Sequence, residues 1–518
     1  MNPPHIELDQ AQIQGFLERV QPLLTPADFA LLNALVETMV FLSTLVKRKS
    51  DTIVRLLRLV FGATSETSKR ILKKDVHPNH TPKTAHGGHG RNGASSYPGA
   101  TRMPRSHPAL KHGDRCPGCL TGKVYKMNRP GIVIRLLAAP LVQAHLFELE
   151  KLRCNLCGEI FTAPAPPEAT EQKYDPTVGA IVALMKYGTG LPFHRLEKLQ
   201  QSLGVPLPAS TQWEIVDSAA AEISPVYEEL LRTAAQAQIV HNDDTSIKIL
   251  SLIKEQQLQD SQRKGMFTTA IVARSEDRNM VCFFTGSNHA GENLEDLLSQ
   301  RVAQLPPPIQ MCDALSRNLP GAFKTILANC LTHARRNFVD TLPAFPQQAE
   351  YVIDTLAQVY HFDDLAKAQN LSAEQRLVFH QENSAPLMQS LKEWLEAQLQ
   401  QKAVEPNSSM GKAIQYMLKR WEPLTLFLRV PNAPLDNNMC ERVLKQSILH
   451  RKNSLFFKTL QGAWVGDLFM SLIATCKLIG ANPFAYLTAL LRHPKELLES
   501  PRRWMPWNYQ NTLAGLPP

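Results

Sequence analysis

Apolar residues recur along this chain at two different periods, and the change of period divides it. Near the N-terminus the spacing is heptad. With Leu32 as an a position, the a series reads Leu32, Met39, Val46, Ile53, Val60, and the d series Leu35, Leu42, Lys49, Leu56. Lys49, in a KRK patch, is the only polar residue of the two series. About four such heptads predict a helix whose seam pairs with another helix or packs on its own domain. Few apolar residues follow to cover the stripe, which favours self-association. Residues 175–232 read as helices. Within them FHRLEKLQQSLGVPLPASTQWEIV has the form of a helix-turn-helix, with a turn at Gly204 to Pro208 and an N-cap at Ser210 or Thr211. Such short signals are common, and DNA contact here is as open as simple packing.

From about residue 236 the period falls to two. IVHNDDTSIKILSL, GMFTTAIVAR and NMVCFFTGSN predict three strands, GENLEDLLSQRVAQL a helix, and IQMCDAL a fourth strand. The order β-β-β-α-β is that of an RNase H-like core. Residues 341–430 are helical and polar-rich, an insertion. After Pro434 come two more helices, NNMCERVLKQSIL and GDLFMSLIATCKLIGA. The fold class expected is therefore multidomain α/β, an RNase H-like core with a helical insertion, an N-terminal coiled-coil helix and a small cysteine module. The boundaries expected are 1–74 zipper-like, 75–112 linker, 113–165 metal module, 166–235 helix-turn-helix-like, 236–340 first part of the core, 341–430 insertion, 431–490 core completion and 491–518 tail.

Composition sharpens this. The 518 residues suffice for about three domains. The net charge of +9 favours a polyanionic partner. The charge is uneven: Lys69 to Arg115 holds ten Lys/Arg, two acids and six histidines, rich in Pro and Gly, which reads as a basic tether. No stretch approaches the roughly 20 apolar residues of a membrane span. The N-terminus has no signal-peptide pattern. The nine cysteines form no disulfide framework, so a cytoplasmic protein is expected.

Two Cys-x-x-Cys pairs, Cys116/Cys119 and Cys154/Cys157, flank the apolar stretch VIRLLAAPLVQAHLFELEKLR. Four thiolates in two knuckles are the ligand set for one closed, structural Zn²⁺ in a zinc-ribbon-like hairpin. The alternative, two redox-active thiol pairs, lacks supporting context. The strand pattern also carries acids. Asp243 alternates onto a face with Ile239, Ile247 and Ile249, whereas Asp244 shares the other face with Lys248. Asp313 shares a face with Ile309, Met311 and Leu315. An acid on an otherwise apolar strand face is costly unless paired or metal-bound, although strand-end capping would serve equally well.

The words HNDDTSIKIL, MCDALSRNLP, CLTHARRNFVD and PLDNNMCERVLKQSILHRKNSLFF, with SLIATCKLIGANPFAYL, closely resemble the DDE transposases of the insertion-sequence sixty-six family. The order of parts resembles it too, over nearly the whole chain. The resemblance implies Asp243, Asp313 and Glu441 as the catalytic acids, holding two Mg²⁺ (or Mn²⁺) ions. It implies His333, Arg335, Arg336, Arg442, Arg451, Lys452 and Asn453 as groups that meet DNA. Two departures stand out: Asp244 replaces the commoner Glu, leaving two adjacent Asp, and His289 stands where many relatives carry Arg. The implied function is binding of an element's terminal inverted repeats, metal-dependent cleavage, and strand transfer into target DNA. The implied partners are double-stranded DNA, further copies of the chain, and small companion proteins, with no membrane, in a nucleoid-associated setting. A metal-dependent nuclease that cuts without joining and a non-catalytic zinc/zipper repressor are the rival classes.

Overall fold

The computed structural model describes residues 10–30, 32–39, 108–117, 119, 121–125, 141–153, 160–164, 166, 173–258, 265–275 and 278–516. It divides into two compact units, one of residues 1–75 and 330–435, the other of residues 76–329 and 436–518. Among the described residues, strands occur in the second unit. No helix among the described residues is long and apolar enough to cross a membrane.

In the second unit, β1 (Lys151–Arg153) and β2 (Ile160–Thr162) form a short antiparallel hairpin. Helices α1 (Pro176–Ala183), α2 (Phe193–Ser202) and α3 (Ala209–Ala234) follow. Asp175 caps α1, its Oδ1 accepting from the Thr177 N–H at 2.9 Å. The chain then widens into a π turn over Leu184–Gly188. The carbonyls there are taken by side chains from elsewhere: Gln446 Nε2 donates to Tyr187 O at 2.9 Å and Lys477 Nζ to Gly188 O at 3.1 Å. In α3, Pro225 lacks the N–H that would bond the carbonyl of residue 221, and Ser224 Oγ supplies a donor to Ala221 O at 3.0 Å instead. The helix-turn-helix expectation meets a 26-residue α3 that buries Val216, Ala220, Ile223, Val226 and Leu230, with Glu214 and Glu222 on its exposed side.

A five-stranded sheet is next: β3 (Ile239–Ser246), β4 (Phe267–Ser275), β5 (Arg278–Gly286), β6 (Ile309–Cys312) and β7 (Ile326–Asn329), in the order β5-β4-β3-β6-β7. The pairs β5/β4 and β4/β3 are antiparallel, β3/β6 and β6/β7 parallel. Helix α4 (Leu250–Leu258) follows β3, and α5 (Ala290–Leu298) crosses from β5 to β6. Helices α6 (Asn438–Ser454), α7 (Leu460–Leu478) and α8 (Pro483–Arg492) come next, and two short helices, Pro494–Glu499 and Tyr509–Ala514, follow them. Strand β4 buries Thr268 through Ala273 without interruption, because helices cover both faces of a central strand. The core joins Val240, Ile271, Phe283, Phe469, Ile473 and Tyr486.

The sheet differs from expectation in two places. Alternation at Ile247 and Ile249 predicts strand, yet β3 stops at Ser246 and the residues IKILSL lead into α4. Ile247 and Ile249 keep an inward rhythm because they bury in a separate small cluster with Met266, Phe457 and Ala463. Leu315 is likewise exposed in a loop rather than on a strand face. The fifth strand, β7, has only four residues.

The free edge of β5 is closed by side chains of α7. Thr285 N–H donates to Asp467 Oδ2 at 2.6 Å, Phe283 N–H to Ser471 Oγ at 2.8 Å, and Val281 N–H to Thr475 Oγ1 at 3.0 Å. Four helical residues advance about 6 Å and two strand residues about 6.8 Å, so an i, i+4 polar stripe matches alternate amides of an edge strand. This explains polar residues inside an otherwise apolar helix.

The first unit is helical where described, through segments Leu331–Thr341, Pro346–Ala368, Ala373–Asn383, Ala385–Gln400 and Ser409–Lys419. Its second stretch begins at Cys330, so the Leu331–Thr341 helix, expected with the core, groups with the insertion. Its buried ion cluster centres on Asp363, which meets Arg376 Nη2 at 2.6 Å, Lys367 Nζ at 2.6 Å and His380 Nε2 at 3.2 Å. N-terminal helical residues are Gln10–Val20, 26–30 and 32–39. Leu35 and Met39 of the heptad stripe are exposed. Its other positions from Leu42 on lie outside the described residues.

Candidate active site

The parallel pairing of β3 with β6 aligns His241 with Met311. Continuing that register sets Asp243 beside Asp313, which follows directly on the last residue of β6. Neighbouring strands run about 4.8 Å apart, and register partners in a parallel pair share a face. The third acid comes from a helix. Asn437, the N-cap of α6, donates from Nδ2 to Asn242 O at 3.2 Å and meets His241 Nδ1 through Oδ1 at 3.2 Å. Cys440 Sγ donates to Ala270 O at 3.2 Å, and Ala270 is the register partner of Asp243. The first turn of α6, which includes Glu441, is thereby pinned across the same strands.

Electrostatics report the result. Burial pushes the Asp243 carboxyl up to about 7, and the Asp313 charge, then those of Asp244 and Glu441, push the same way, against the Asp244 N–H that donates to Asp243 Oδ1 at 2.8 Å. Asp313 and Glu441 therefore both act on Asp243. His241, behind them, is depressed to about 4 by burial and is neutral at pH 7.

The two adjacent aspartates are separated by the strand. Asp244 is the more deeply buried of the two, with a side chain only 1% exposed. It faces the start of α5: Oδ2 meets His289 Nδ1 at 3.1 Å and accepts from Ala290 N at 3.4 Å, while Oδ1 meets Arg317 Nη2 at 3.3 Å. His289 also lies against the Phe267 ring, centroids 4.1 Å apart. Asp244 is thus an anchor between β3, α5 and the loop after β6. The loop sits close to α5: a Cβ at Gly291 would stand 2.2 Å from Leu319 O, so only glycine admits it there. Strand alternation pointed to Asp243, but nothing local announced partners 45 and 73 residues away.

A family model described as Transposase IS66 family matches residues 172–464, more than half of the chain, and that span contains all three acids. The chain belongs to this transposase family. Relatives include two from Sinorhizobium fredii (strain NBRC 101917 / NGR234). "Uncharacterized protein y4hP" is 28% identical over 396 residues, 71% of this chain and 68% of the relative. "Uncharacterized protein y4jD" is 25% identical over 438 residues, 80% and 82%. Membership implies a DNA-acting enzyme that uses divalent metal.

The residues of this transposase-family chain fit such an ion. The donors are hard carboxylate oxygens, and Asp243 sits in a field of like charges that a divalent cation would relieve. The predicted DNA-facing groups divide. Arg442 and Lys452 are exposed on α6. Arg451 is engaged instead: its Nη1 donates to Thr245 Oγ1 and Ser246 Oγ, each at 3.0 Å, and to Ser246 O, which fastens the end of β3 to α6. Asn453 is half-buried, its amide 3.4 Å from where a Cβ on Gly190 would stand. In the first unit, Arg335 is buried, Arg336 exposed and His333 half-buried on the Leu331–Thr341 helix.

Of the four predicted zinc ligands, Cys116 and Cys119 are described, and Cys154 and Cys157 lie outside the described residues. Gly122 N–H points at Cys119 Sγ from 3.3 Å. Hydrogen bonds from the Gly122 and Thr121 backbone hold the Cys119 thiol down at about 6, which suits a thiolate ligand. The hairpin β1/β2 flanks the second pair, with Arg153 opposite Ile160.

Proposed function

We propose that this protein binds the terminal inverted repeats of a mobile element, cuts DNA at its ends and joins the ends to a target. One observation carries this: Asp243 and Asp313 stand at the ends of adjacent parallel strands, and Glu441 in the first turn of α6 adds its charge to the field on Asp243. Two antiparallel pairs followed by two parallel pairs, in the order β5-β4-β3-β6-β7, support an RNase H-like core. Asp243, Asp313 and Glu441 would hold two Mg²⁺ or Mn²⁺ ions. Bound there, such ions lower the pKa of water and stabilise the leaving oxygen. In the first step a water oxygen bonds to phosphorus, the P–O3′ bond breaks, and the proton that the water gives up goes to the leaving 3′ oxygen. In the second, that 3′ oxygen bonds to a target phosphorus and displaces the target's own 3′ oxygen, so the number of phosphodiester bonds is conserved. The exposed cations Arg442 and Lys452, with the engaged Arg451 behind them, give α6 a basic side for DNA phosphates.

Around this core, Cys116, Cys119, Cys154 and Cys157 would hold one structural Zn²⁺. The heptad stripe would join protomers so that two ends are processed together, in the cytoplasm on nucleoid DNA, with companion proteins of the element as further partners. The test is incubation of the full chain with labelled element ends, a plasmid target and Mg²⁺, beside Asp243→Asn and Glu441→Gln. A joined product lost in both variants is expected. Cut but unjoined DNA would mark a nuclease, and binding alone a repressor.

A further inference from the structure

We propose that Asn318 is a positioning residue for Asp313, held in place by a buried amide network that also seats α6 on β3. The inference rests on the metal-binding reading above and names a residue that reading does not contain.

Asn318 closes the short turn Ser316–Asn318 after β6 and is 1% exposed. Its Nδ2 donates to Asp313 Oδ1. Its backbone carbonyl accepts twice, from Asn242 Nδ2 at 2.8 Å and from Gln310 Nε2 at 2.7 Å. Gln310 Nε2 also donates to Asn242 Oδ1 at 3.0 Å, and Gln310 Oε1 accepts from Thr325 Oγ1 at 2.9 Å. The network continues through the Asn242 carbonyl to Asn437, at the head of the helix that bears Glu441. Asn242, Gln310 and Asn437 are all fully buried.

Burying amide side chains in the middle of a sheet costs stability unless each is bonded, and most of these are. Asn318 is the exception: its Oδ1 is buried with no hydrogen-bond partner in the structure. A leucine of similar volume would avoid that cost, so stability alone does not account for an amide here. What the amide does, and leucine does not, is fix the carboxylate plane of Asp313. Groups that hydrogen-bond to metal-ligating side chains set their orientation, and losing them typically weakens metal affinity about 10–100-fold.

The test is titration of the DNA-free full chain with Mn²⁺, read as affinity, beside the melting temperature of the metal-free protein. Asn318→Ala is expected to bind Mn²⁺ about 10–100-fold more weakly than wild type. Asn318→Leu, which removes the unsatisfied oxygen, is expected to melt at or above the wild-type temperature while losing the same affinity. That opposition separates positioning from mere folding. Wild-type affinity in a folded Asn318→Leu would overturn the inference. Asp243→Asn serves as the reference: if it binds Mn²⁺ as wild type does, the metal-binding reading fails and takes this inference with it.

Discussion

Ser471→Ala tests whether α7 completes the sheet. The Ser471 side chain is fully buried, accepts the Phe283 N–H at 2.8 Å and donates to Asp467 O at 2.6 Å. Alanine occupies almost the same space, so no cavity opens. The Asp467 carbonyl lies within α7 and retains its helical partner. The cost therefore falls on Phe283 N–H, left buried without an acceptor, at about 1–3 kcal/mol. With a urea m-value of about 3 kcal/mol/M for a unit this size, the unfolding midpoint should fall by roughly 0.3–1 M. Hydrogen exchange gives the local readout: the Phe283 amide should lose protection more than its β4-facing neighbours. Thr475→Val removes the acceptor of Val281 N–H in the same way and should cost a similar amount. An unchanged midpoint together with full protection of the Phe283 amide would refute the edge-closing role.

Further outcomes follow from other buried charges. Burial raises Asp467 to about 7, against two bonds from Thr285; the protonated form is the one the fold prefers. Its contribution is complete below the ordinary carboxylate value near 4 and disappears as pH rises through about 7, so urea stability should decline over that window and Asp467→Asn should flatten the decline. Asp363 behaves oppositely: burial alone would raise it, but His380, Arg376 and Lys367 together hold it well below the carboxylate range. Its stabilisation should be present above about pH 4 and lost on further acidification, and Asp363→Ala should cost about 3–5 kcal/mol, read by hydrogen exchange in the Pro346–Ala368 helix. Asp243→Asn should abolish DNA joining with little loss of melting temperature, whereas Asp244→Ala should lower the melting temperature, through His289 and Arg317, more than any Asp243 variant. Equal effects of the two on stability would contradict the division of roles between these neighbours.

Much of the sheet is legible in the sequence because strands of period two are bounded by polar turns. The three strands from Ile239 onward, the helix at Ala290 and the strand at Ile309 all stand where alternation indicates. Alternation does not say where pairing stops. Ile247 and Ile249 continue the rhythm after the chain has left the sheet, because a second small core wants the same spacing. Strand β7 reads Ile-Leu-Ala-Asn, without the alternation that marks the equally short β6. The proposal of these three acids comes from the family words rather than from physics, since any long chain offers many triples of carboxylates. Their supports were invisible for a different reason. Asn318 bonds a residue five positions back, but its backbone meets Asn242 and Gln310 on two strands, and Asp244 finds His289 across a helix start. Those contacts exist only once the sheet has formed.

The π turn at Leu184–Gly188 has a mechanical implication. Gln446 and Lys477 reach its carbonyls from α6 and α7, and Lys186 Nζ donates to Ser454 Oγ at 2.8 Å at the far end of α6. The helix that bears Glu441 is therefore bolted near its middle and at its tail. Sliding it along its axis would break both of those bonds. Any adjustment of that acid must come as a tilt shared with residues 176–188, so a cross-link between the π turn and α6 should leave the third carboxylate as able to adjust as before.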